Sequence, residues 1–215
     1  MKCVLRRTAL AFALLATTAV GSRAQLYNGG LPNHQNGNEM TEWVQANDFS
    51  LAGPATVTGI RFWAFSQGAG WTGSMWWGIF ADNAGNPGAT LFSGTQTGAR
   101  VATGFMIGGV IPEYQHDLAV NVALGAGTYW LGLHNGPIGH DTNDNYYWET
   151  TNPNGTLTGR EDDTPFGDNG WVNNSLDHAF QLYGDRGAVV PEPMTLSLVG
   201  TGLVGLAVLR RRRKQ

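Results

Sequence analysis

Alternation between apolar and polar residues is the feature of this sequence that most constrains its fold. From Tyr114 to Leu124 the even positions are mostly apolar, whereas the odd positions are small or polar. Because successive side chains of a β-strand point to opposite faces, this period of two predicts a strand with one buried face. His116 falls on the apolar face, and we predict that it is a hydrogen-bonded core residue, not a metal ligand.

Five further segments are rich in aromatic and β-branched residues, which favour strands over helices. These segments span residues 56–65, 75–81, 128–134, 145–150 and 178–183. Glycine and asparagine, which tolerate the positive φ of tight hairpin turns, are concentrated between them, notably in residues 83–88 and 124–127. No sustained helical stripe interrupts the pattern. The sequence therefore predicts an all-β fold, an antiparallel β-sandwich of jelly-roll type.

The N-terminal residues have the layout of a secretory signal peptide. Basic residues precede an apolar run over residues 8–20, and small residues follow it. We expect cleavage after Ala24, so that residues 1–24 are the signal peptide and the mature chain starts at Gln25. The only cysteine, Cys3, lies inside the signal peptide, so the mature domain has no disulfide and no cysteine-based metal site.

The domain that we expect to be exported, residues 25–187, is strongly acidic. It contains four arginines, no lysine and 15 of the 16 acidic residues of the chain, which gives a net charge of −11. Such a charge repels polyanions, so we expect no nucleic acid partner. It also keeps an exported protein soluble and provides carboxylates that divalent cations can use.

The last residues of the chain, 188–215, divide into three parts. A Val-Pro-Glu-Pro motif occupies residues 190–193, an apolar stretch runs from 194 to 209, and a basic cluster follows at 210–214. As a helix, the apolar stretch would extend about 24 Å, which is short of the roughly 30 Å hydrocarbon core of a bilayer. Bilayer thinning and snorkelling side chains make a marginal transmembrane helix feasible.

The basic cluster orients this helix. By the positive-inside rule the cluster stays in the cytoplasm, so the domain before the tail lies on the other side of the membrane. The residues that set this orientation are Arg210, Arg211, Arg212, Arg213 and Lys214. Length and charge alone are compatible with a lasting anchor and with an address that is removed.

The tail resembles the PEP-CTERM sorting signal of Gram-negative bacteria. The resemblance covers about 25 residues and rests on the order of Pro191-Glu192-Pro193, the apolar stretch and the terminal basic cluster, with a signal peptide at the other end. It implies that an exosortase recognises Pro191, Glu192 and Pro193 while the protein is transiently anchored in the inner membrane. It further implies delivery to the cell surface or into extracellular polysaccharide. The body of the chain also looks like the β-rich ectodomains that accompany such tails.

Tryptophan side chains are the first candidates for ligand binding. All eight tryptophans fall within residues 25–187. Exposed indole rings stack on sugar rings, whereas tryptophans within strand patterns are expected to pack in the core. We therefore single out Trp71 and Trp171, which lie beside glycines in loop-like segments. Trp148, from the segment 145–150, is added to them as a carbohydrate-binding candidate.

An acidic, amide-rich segment between residues 139 and 170 is the second candidate. Within it Asp141, Asn143 and Asn145 have the alternate spacing of a calcium loop. Tyr146 occupies the place where an EF-hand needs glycine, and the terminal glutamate of such a loop is missing. We therefore expect a solvated loop and no cofactor, with calcium as the alternative.

No catalytic motif is evident in the sequence. It contains neither a Gly-x-Ser-x-Gly elbow nor a His-Glu-x-x-His pair. A polysaccharide-cleaving enzyme would need two facing carboxylates, and Glu149 with Glu161 or Asp163 is the pair to consider. We expect a non-enzymatic exported protein associated with exopolysaccharide. The alternatives are a carbohydrate-binding module and, less favoured, a polysaccharide-cleaving enzyme.

Overall fold

The computed structural model describes residues 23–66, 70–97, 100–139, 144–153, 158–162 and 170–187. These residues form thirteen β-strands and no helix. No membrane-spanning helix occurs in this part of the chain. Residues 1–22 of the predicted signal peptide lie outside the described residues. So do the three parts of the predicted tail, which are the sorting motif at 190–193, the apolar stretch at 194–209 and the basic cluster at 210–214.

The strands are numbered in chain order. They are β1 (Ala24–Asn28), β2 (Pro32–Glu39), β3 (Val44–Leu51), β4 (Ala55–Ser66), β5 (Ser74–Asp82), β6 (Pro87–Thr97), β7 (Arg100–Ile107), β8 (Ile111–Leu124), β9 (Gly127–Asn135), β10 (Tyr146–Thr151), β11 (Arg160–Asp162), β12 (Val172–Asn173) and β13 (Phe180–Arg186). Each segment that the alternation and composition predict as a strand overlaps an observed strand. The predicted all-β class is therefore confirmed for the described residues.

The strands pair antiparallel in two sheets. The first sheet contains β1, β2, β4, β7, β8, β10 and β13, and its central strand β4 pairs with β8 on one side and with β13 and β10 on the other. The second sheet has the order β12-β11-β3-β9-β5-β6. Most connections pass from one sheet to the other, as expected when two sheets pack face to face.

Two predicted turns differ in what they connect. Residues 83–86 close the β5–β6 hairpin, where Asn83 and Asn86 exchange backbone hydrogen bonds of 2.8 and 3.2 Å. Residues 124–127 do not close a hairpin, because β8 belongs to the first sheet and β9 to the second. Leu124 pairs with Ala55 in the first sheet, so this turn carries the chain from one layer to the other.

Side chains of both sheets share one large buried core. Its members from the first sheet include Val57, Phe62, Leu118, Trp148 and Phe180, and its members from the second include Phe49, Met75, Ile79, Leu131 and Leu133. Burying one such side chain contributes roughly 1.5–3 kcal/mol, so this core is the main source of stability in a domain without cysteine. Two antiparallel sheets around a common core are consistent with a β-sandwich.

The outer face of the first sheet is covered as well. On β4, Phe62 and Ala64 belong to the core, so Trp63 and Phe65 project to the opposite face. Both side chains are nevertheless buried. A further layer of chain therefore lies over this part of the sheet, and it encloses a group of polar residues.

Candidate functional site

Two glutamates project from the outer face of the first sheet. On β10, Trp148 belongs to the core, so the next residue, Glu149, points outward. On β8, Leu118 points into the core, which places Glu113 on the outer face by the same alternation. Because β4 runs between β8 and β10, these two carboxylates stand on either side of one central strand.

The central strand supplies an apolar floor between the two carboxylates. Phe65 of β4 is paired with Glu113, and Trp63 lies two residues further along the same face. Glu113 is 3 % exposed and Glu149 is 0 % exposed. Both carboxylates therefore occupy a low-dielectric environment beside buried aromatic residues.

An irregular segment of β2 carries His34 over this face. Residues 33–36 bulge opposite the single residue Thr150 of β10. His34 has a φ of 59°, a left-handed conformation that is uncommon for residues other than glycine. Its Nδ1 lies 2.7 Å from Glu113 Oε2 and 3.3 Å from Glu149 Oε1. The bulge thus brings a nitrogen donor to the two carboxylates.

Contacts with the sheet hold the bulge in place. The Thr150 hydroxyl lies 3.0 Å from both Asn33 Oδ1 and the carbonyl oxygen of Asn36. At Gly37, a Cβ atom would lie 2.7 Å from the Phe65 ring, so a glycine is needed for β2 to approach the sheet this closely. The position of His34 is therefore set by the backbone on both sides of it.

A second irregular segment, in β7, covers His34. Residues 103–105 bulge within the β7–β8 pairing, where Gly104 has a φ of 87°. The Phe105 ring stacks on the His34 imidazole with ring centroids 3.8 Å apart and an interplanar angle of 27°. His34 itself is 38 % exposed, so it is the member of the group that reaches solvent.

The two carboxylates are buried with little compensation. In the described part of the chain, the polar contacts of Glu113 Oε2 and of both Glu149 oxygens are confined to His34 and to each other. Burial, followed by the negative charge of Glu113, raises the pKa of Glu149 to about 8. Since two buried like charges are unfavourable, this pair must either hold a proton or neutralise a cation.

The group has the donor types of a metal site. One imidazole nitrogen and two carboxylate oxygens lie within 4.8 Å of one another in His34, Glu113 and Glu149. Neutral imidazole and carboxylate are both ligands of divalent transition metals. Acid–base catalysis on a polymer is less favoured, because His34 and Phe105 cover carboxylates that are themselves buried.

The prediction that Trp148 offers an exposed ring to a sugar is wrong. Trp148 is 0 % exposed, and its Nε1 donates to the carbonyl oxygen of Ala179 at 3.0 Å. The physical reason is its position on the core-facing side of β10. Trp148 alternates with Glu149 in the segment predicted as a strand, and the apolar member of such a pair faces the core.

The other two tryptophan candidates are half-buried and pack against different clusters. The Trp71 ring lies 4.8 Å from His116 and 5.4 Å from Tyr146, at the border of the main core. The Trp171 ring lies 5.4 Å from Phe80, in a smaller cluster of the second sheet. Carbohydrate binding by Trp71 and Trp171 stays a prediction.

The calcium alternative also stays a prediction. Asn145 is exposed, and its Oδ1 accepts a hydrogen bond from the Tyr147 hydroxyl at 3.0 Å. Asp141 and Asn143 lie outside the described residues.

The carboxylate that accompanies Glu149 differs from those considered in the sequence. Glu161 lies on β11 of the second sheet, where it accepts a hydrogen bond from Gln45 Nε2 at 3.3 Å. Asp163 lies outside the described residues. The close neighbour of Glu149 is Glu113.

The prediction that His116 is a hydrogen-bonded core residue is confirmed. Its Nε2 is hydrogen-bonded to the Tyr146 hydroxyl, and its ring stacks on Phe62 with centroids 4.7 Å apart. Burial, followed by the charge of Arg100, lowers the pKa of His116 to about 3. Burial lowers the pKa of a second core histidine, His178, to about 3 as well. Both imidazoles are therefore neutral at physiological pH.

His34 and Glu113 are site residues that the local sequence patterns do not indicate. Glu113 lies just before the alternating segment, at an odd position that the pattern marks as solvent-facing. His34 lies in a polar stretch without apparent strand character. The two residues meet only because β2 and β7 bulge over the sheet, and these bulges have no simple sequence signal.

Comparison with known proteins adds no family to this description. No protein-family model matches the chain, and no curated protein matches its sequence. The interpretation of the site therefore rests on the geometry and chemistry of its residues.

Proposed function

We propose that this protein is exported and sorted to the cell surface or the extracellular polysaccharide matrix, where it acts without enzymatic activity. The observation that carries this proposal is the order of Pro191-Glu192-Pro193, an apolar stretch and a basic cluster at the end of a chain that begins like a secretory precursor. An exosortase is the expected processing partner, and the inner membrane is the expected intermediate location.

The boundaries of the folded domain support this division of the chain. β1 begins at Ala24, the last residue before the expected cleavage point, and β13 ends at Arg186, just before the expected tail at 188–215. These two terminal strands pair, with Ala24 opposite Gly184. Apart from Ala24, the two paired terminal strands therefore fall within residues 25–187, the part of the chain that we propose is exported.

The jelly-roll type of the sandwich is also part of this proposal. It is supported by the frequent passage of the chain between the two sheets, for example from β3 to β4 and from β8 to β9. The non-enzymatic assignment is supported by the burial of Glu113 and Glu149 under His34 and Phe105, which keeps a polysaccharide chain away from this pair of carboxylates. The burial of Trp148 weakens the alternative of a carbohydrate-binding module.

The C-terminal mass and the location of the protein test this proposal. The full chain is expressed in Gram-negative cells with and without exosortase activity, and intact mass is measured in membrane, surface and matrix fractions. We expect a mature N-terminus at Gln25 in both strains. With exosortase activity, the tail should be lost and the protein should appear in the surface or matrix fraction.

A matched tail variant sharpens the result. Glu192→Ala changes one residue of the proposed motif and leaves the apolar stretch and basic cluster intact, so it should keep the chain in the membrane. Glu42→Ala, a change in the folded domain, should be processed like the wild type. A wild-type protein that ends at Gln215 and stays in the membrane of exosortase-positive cells would show that the tail is a plain anchor.

A further inference from the structure

The group formed by His34, Glu113 and Glu149 contains two buried carboxylates that lack the usual compensation. Buried carboxylates in proteins normally receive several hydrogen bonds or pair with a cation. Here the polar contacts of Glu113 Oε2 and of both Glu149 oxygens, among the described residues, are confined to His34 and to each other, and both side chains are at least nine-tenths buried. One oxygen of each carboxylate and one imidazole nitrogen lie within 4.8 Å of one another.

We propose that His34, Glu113 and Glu149 bind one divalent transition-metal ion, for which zinc is the representative ion. His34 contributes Nδ1, and each glutamate contributes a carboxylate oxygen. This site is independent of the tail on which the proposed export depends.

The distances between the donor atoms fit such an ion. Ligands about 2.0–2.1 Å from an ion lie about 3.3 Å apart in tetrahedral geometry and about 3.0 Å apart in octahedral geometry. The separations of Nδ1 from the two carboxylate oxygens are 2.7 and 3.3 Å. These two separations are within about a few tenths of an ångström of the expected values. The two carboxylate oxygens lie within 4.8 Å of each other.

The donor types select a transition metal over calcium. Calcium prefers six to eight oxygen ligands, whereas imidazole nitrogen is a good ligand for zinc and its neighbours in the first transition row. Two carboxylates and one neutral imidazole carry two negative charges, which a divalent cation neutralises. Because Trp63 and Phe65 are buried beside the pair, the electrostatic gain is made in a low-dielectric environment.

The backbone presents the histidine in an unusual conformation. His34 adopts a positive φ of 59° in a bulge that Thr150 and Gly37 hold against the sheet. Bulges recur where a side chain must be redirected toward a site, and uncommon backbone conformations persist where surrounding contacts define them. The fold thus places His34 at the carboxylates before any ion arrives.

A metal ion here would connect three strands of the first sheet. His34 belongs to β2, Glu113 to β8 and Glu149 to β10. The ion would therefore fix the covering segment of β2 to the sheet, which is a structural role. Three protein donors also leave at least one coordination position to water on the solvent side of His34.

Zinc binding by the full chain tests the proposal. The purified protein is stripped with a chelator, exchanged into chelator-free buffer and titrated with zinc chloride in a calorimeter. We expect one zinc ion per chain and a higher melting temperature with zinc. Cobalt chloride should give visible ligand-field bands from the same site, and calcium chloride should bind at least tenfold more weakly.

Three variants and one control localise the ion. Glu113→Gln, Glu149→Gln and His34→Asn each remove one donor, and each should weaken zinc binding at least tenfold and change the cobalt spectrum. Glu161→Gln is the matched control, since it changes a half-buried carboxylate of the second sheet, and it should bind zinc like the wild type.

Specific outcomes overturn the proposal. These are the lack of stoichiometric zinc binding, calcium binding as tight as zinc binding, or unchanged zinc affinity in His34→Asn. Should the buried glutamine variants fail to fold, His34→Asn still decides the matter, because the His34 side chain is 38 % exposed and its replacement leaves the core intact.

Discussion

The two faces of the first sheet accommodate polar groups in different ways. On the inner face, His116 and His178 are neutral, hydrogen-bonded and stacked on the aromatic rings of Phe62 and Trp148. On the outer face, Glu113 and Glu149 are buried as a pair of acids beside the His34 imidazole. A neutral polar group can be satisfied by a few hydrogen bonds, whereas buried acids require a proton or a cation.

The outer face itself shows a second contrast along β8. Asp117 lies four residues beyond Glu113 on the same face, is 53 % exposed and forms a bidentate pair with Arg61 at 2.7 and 3.1 Å. The chain thus supplies a guanidinium to the exposed carboxylate and none of its four domain arginines to the buried pair, as far as the described contacts show. This difference favours an external cation beside Glu113 and Glu149, where β2 and β7 cover the outer face.

The largest loss of stability is expected from a substitution on the inner face. Trp148→Ala removes a fully buried indole and its hydrogen bond to Ala179, and we expect it to lower the free energy of unfolding by about 3–5 kcal/mol. Urea unfolding followed by circular dichroism measures the loss. Trp171→Ala, at a half-buried position of the smaller cluster, should cost less than about half as much. Equal losses in the two variants would show that the inner face is not the dominant source of stability.

The ionisable groups of the two faces should make folding stability depend on pH with opposite signs. His116 and His178 have a pKa of about 3 in the folded protein and about 6.5 when unfolded. The stability that they contribute above pH 6.5 is therefore lost as the pH falls, by about 1.4 kcal/mol per pH unit for each histidine. Glu149, with a pKa raised from 4.5 to about 8, acts in the opposite direction, because its folded form retains a proton that the unfolded form releases.

Replacement of the glutamate makes this difference measurable. In metal-free buffer between pH 7 and pH 5, Glu149→Gln should lose stability more steeply than the wild type, by about 1.4 kcal/mol per pH unit. His178→Gln should lose stability less steeply than the wild type. Urea unfolding at half-unit pH steps measures these slopes, and parallel curves for wild type and Glu149→Gln would contradict the assigned direction for the outer face.

The smallest loss of stability is expected from a substitution at the exposed pair of Asp117 and Arg61 on the outer face. Asp117→Asn breaks the pair with Arg61, and because both groups are solvated we expect a loss of about 0–1 kcal/mol. The loss should shrink in high salt, since salt screens exposed charges. A double-mutant cycle with Arg61→Gln at low and high sodium chloride isolates the pair. A coupling above about 2 kcal/mol would mean that this pair behaves like a buried one.

Local patterns predicted much of the fold and little of the site. The segment from Tyr114 to Leu124 forms part of β8 as expected, because alternation of side chains is a property of neighbouring residues. His116 was placed correctly for the same reason. The turn at 124–127 was located, but its role in changing sheets was not, since this depends on which distant strands pair.

The candidate site could not be read from local patterns because its members are far apart in the chain. Glu149 was recognised as a candidate carboxylate, yet its neighbour is Glu113 and its nitrogen donor is His34, on two other strands. Trp148 was singled out as an exposed ring although it lies in the predicted strand 145–150, and the core shared by the two sheets buries it. Each error concerns a contact between segments that only the folded chain brings together.

The sequence by itself determined the all-β character of the domain, its acidic and lysine-free composition, and the resemblance of its tail to a sorting signal. These properties depend on residues that are adjacent in the chain or on simple totals. Tertiary structure alone decided which carboxylates are buried together, because strand order and the bulges of β2 and β7 set the distances between side chains. Burial then changed the chemistry of Glu113 and Glu149 from that of solvated acids to that of potential metal ligands.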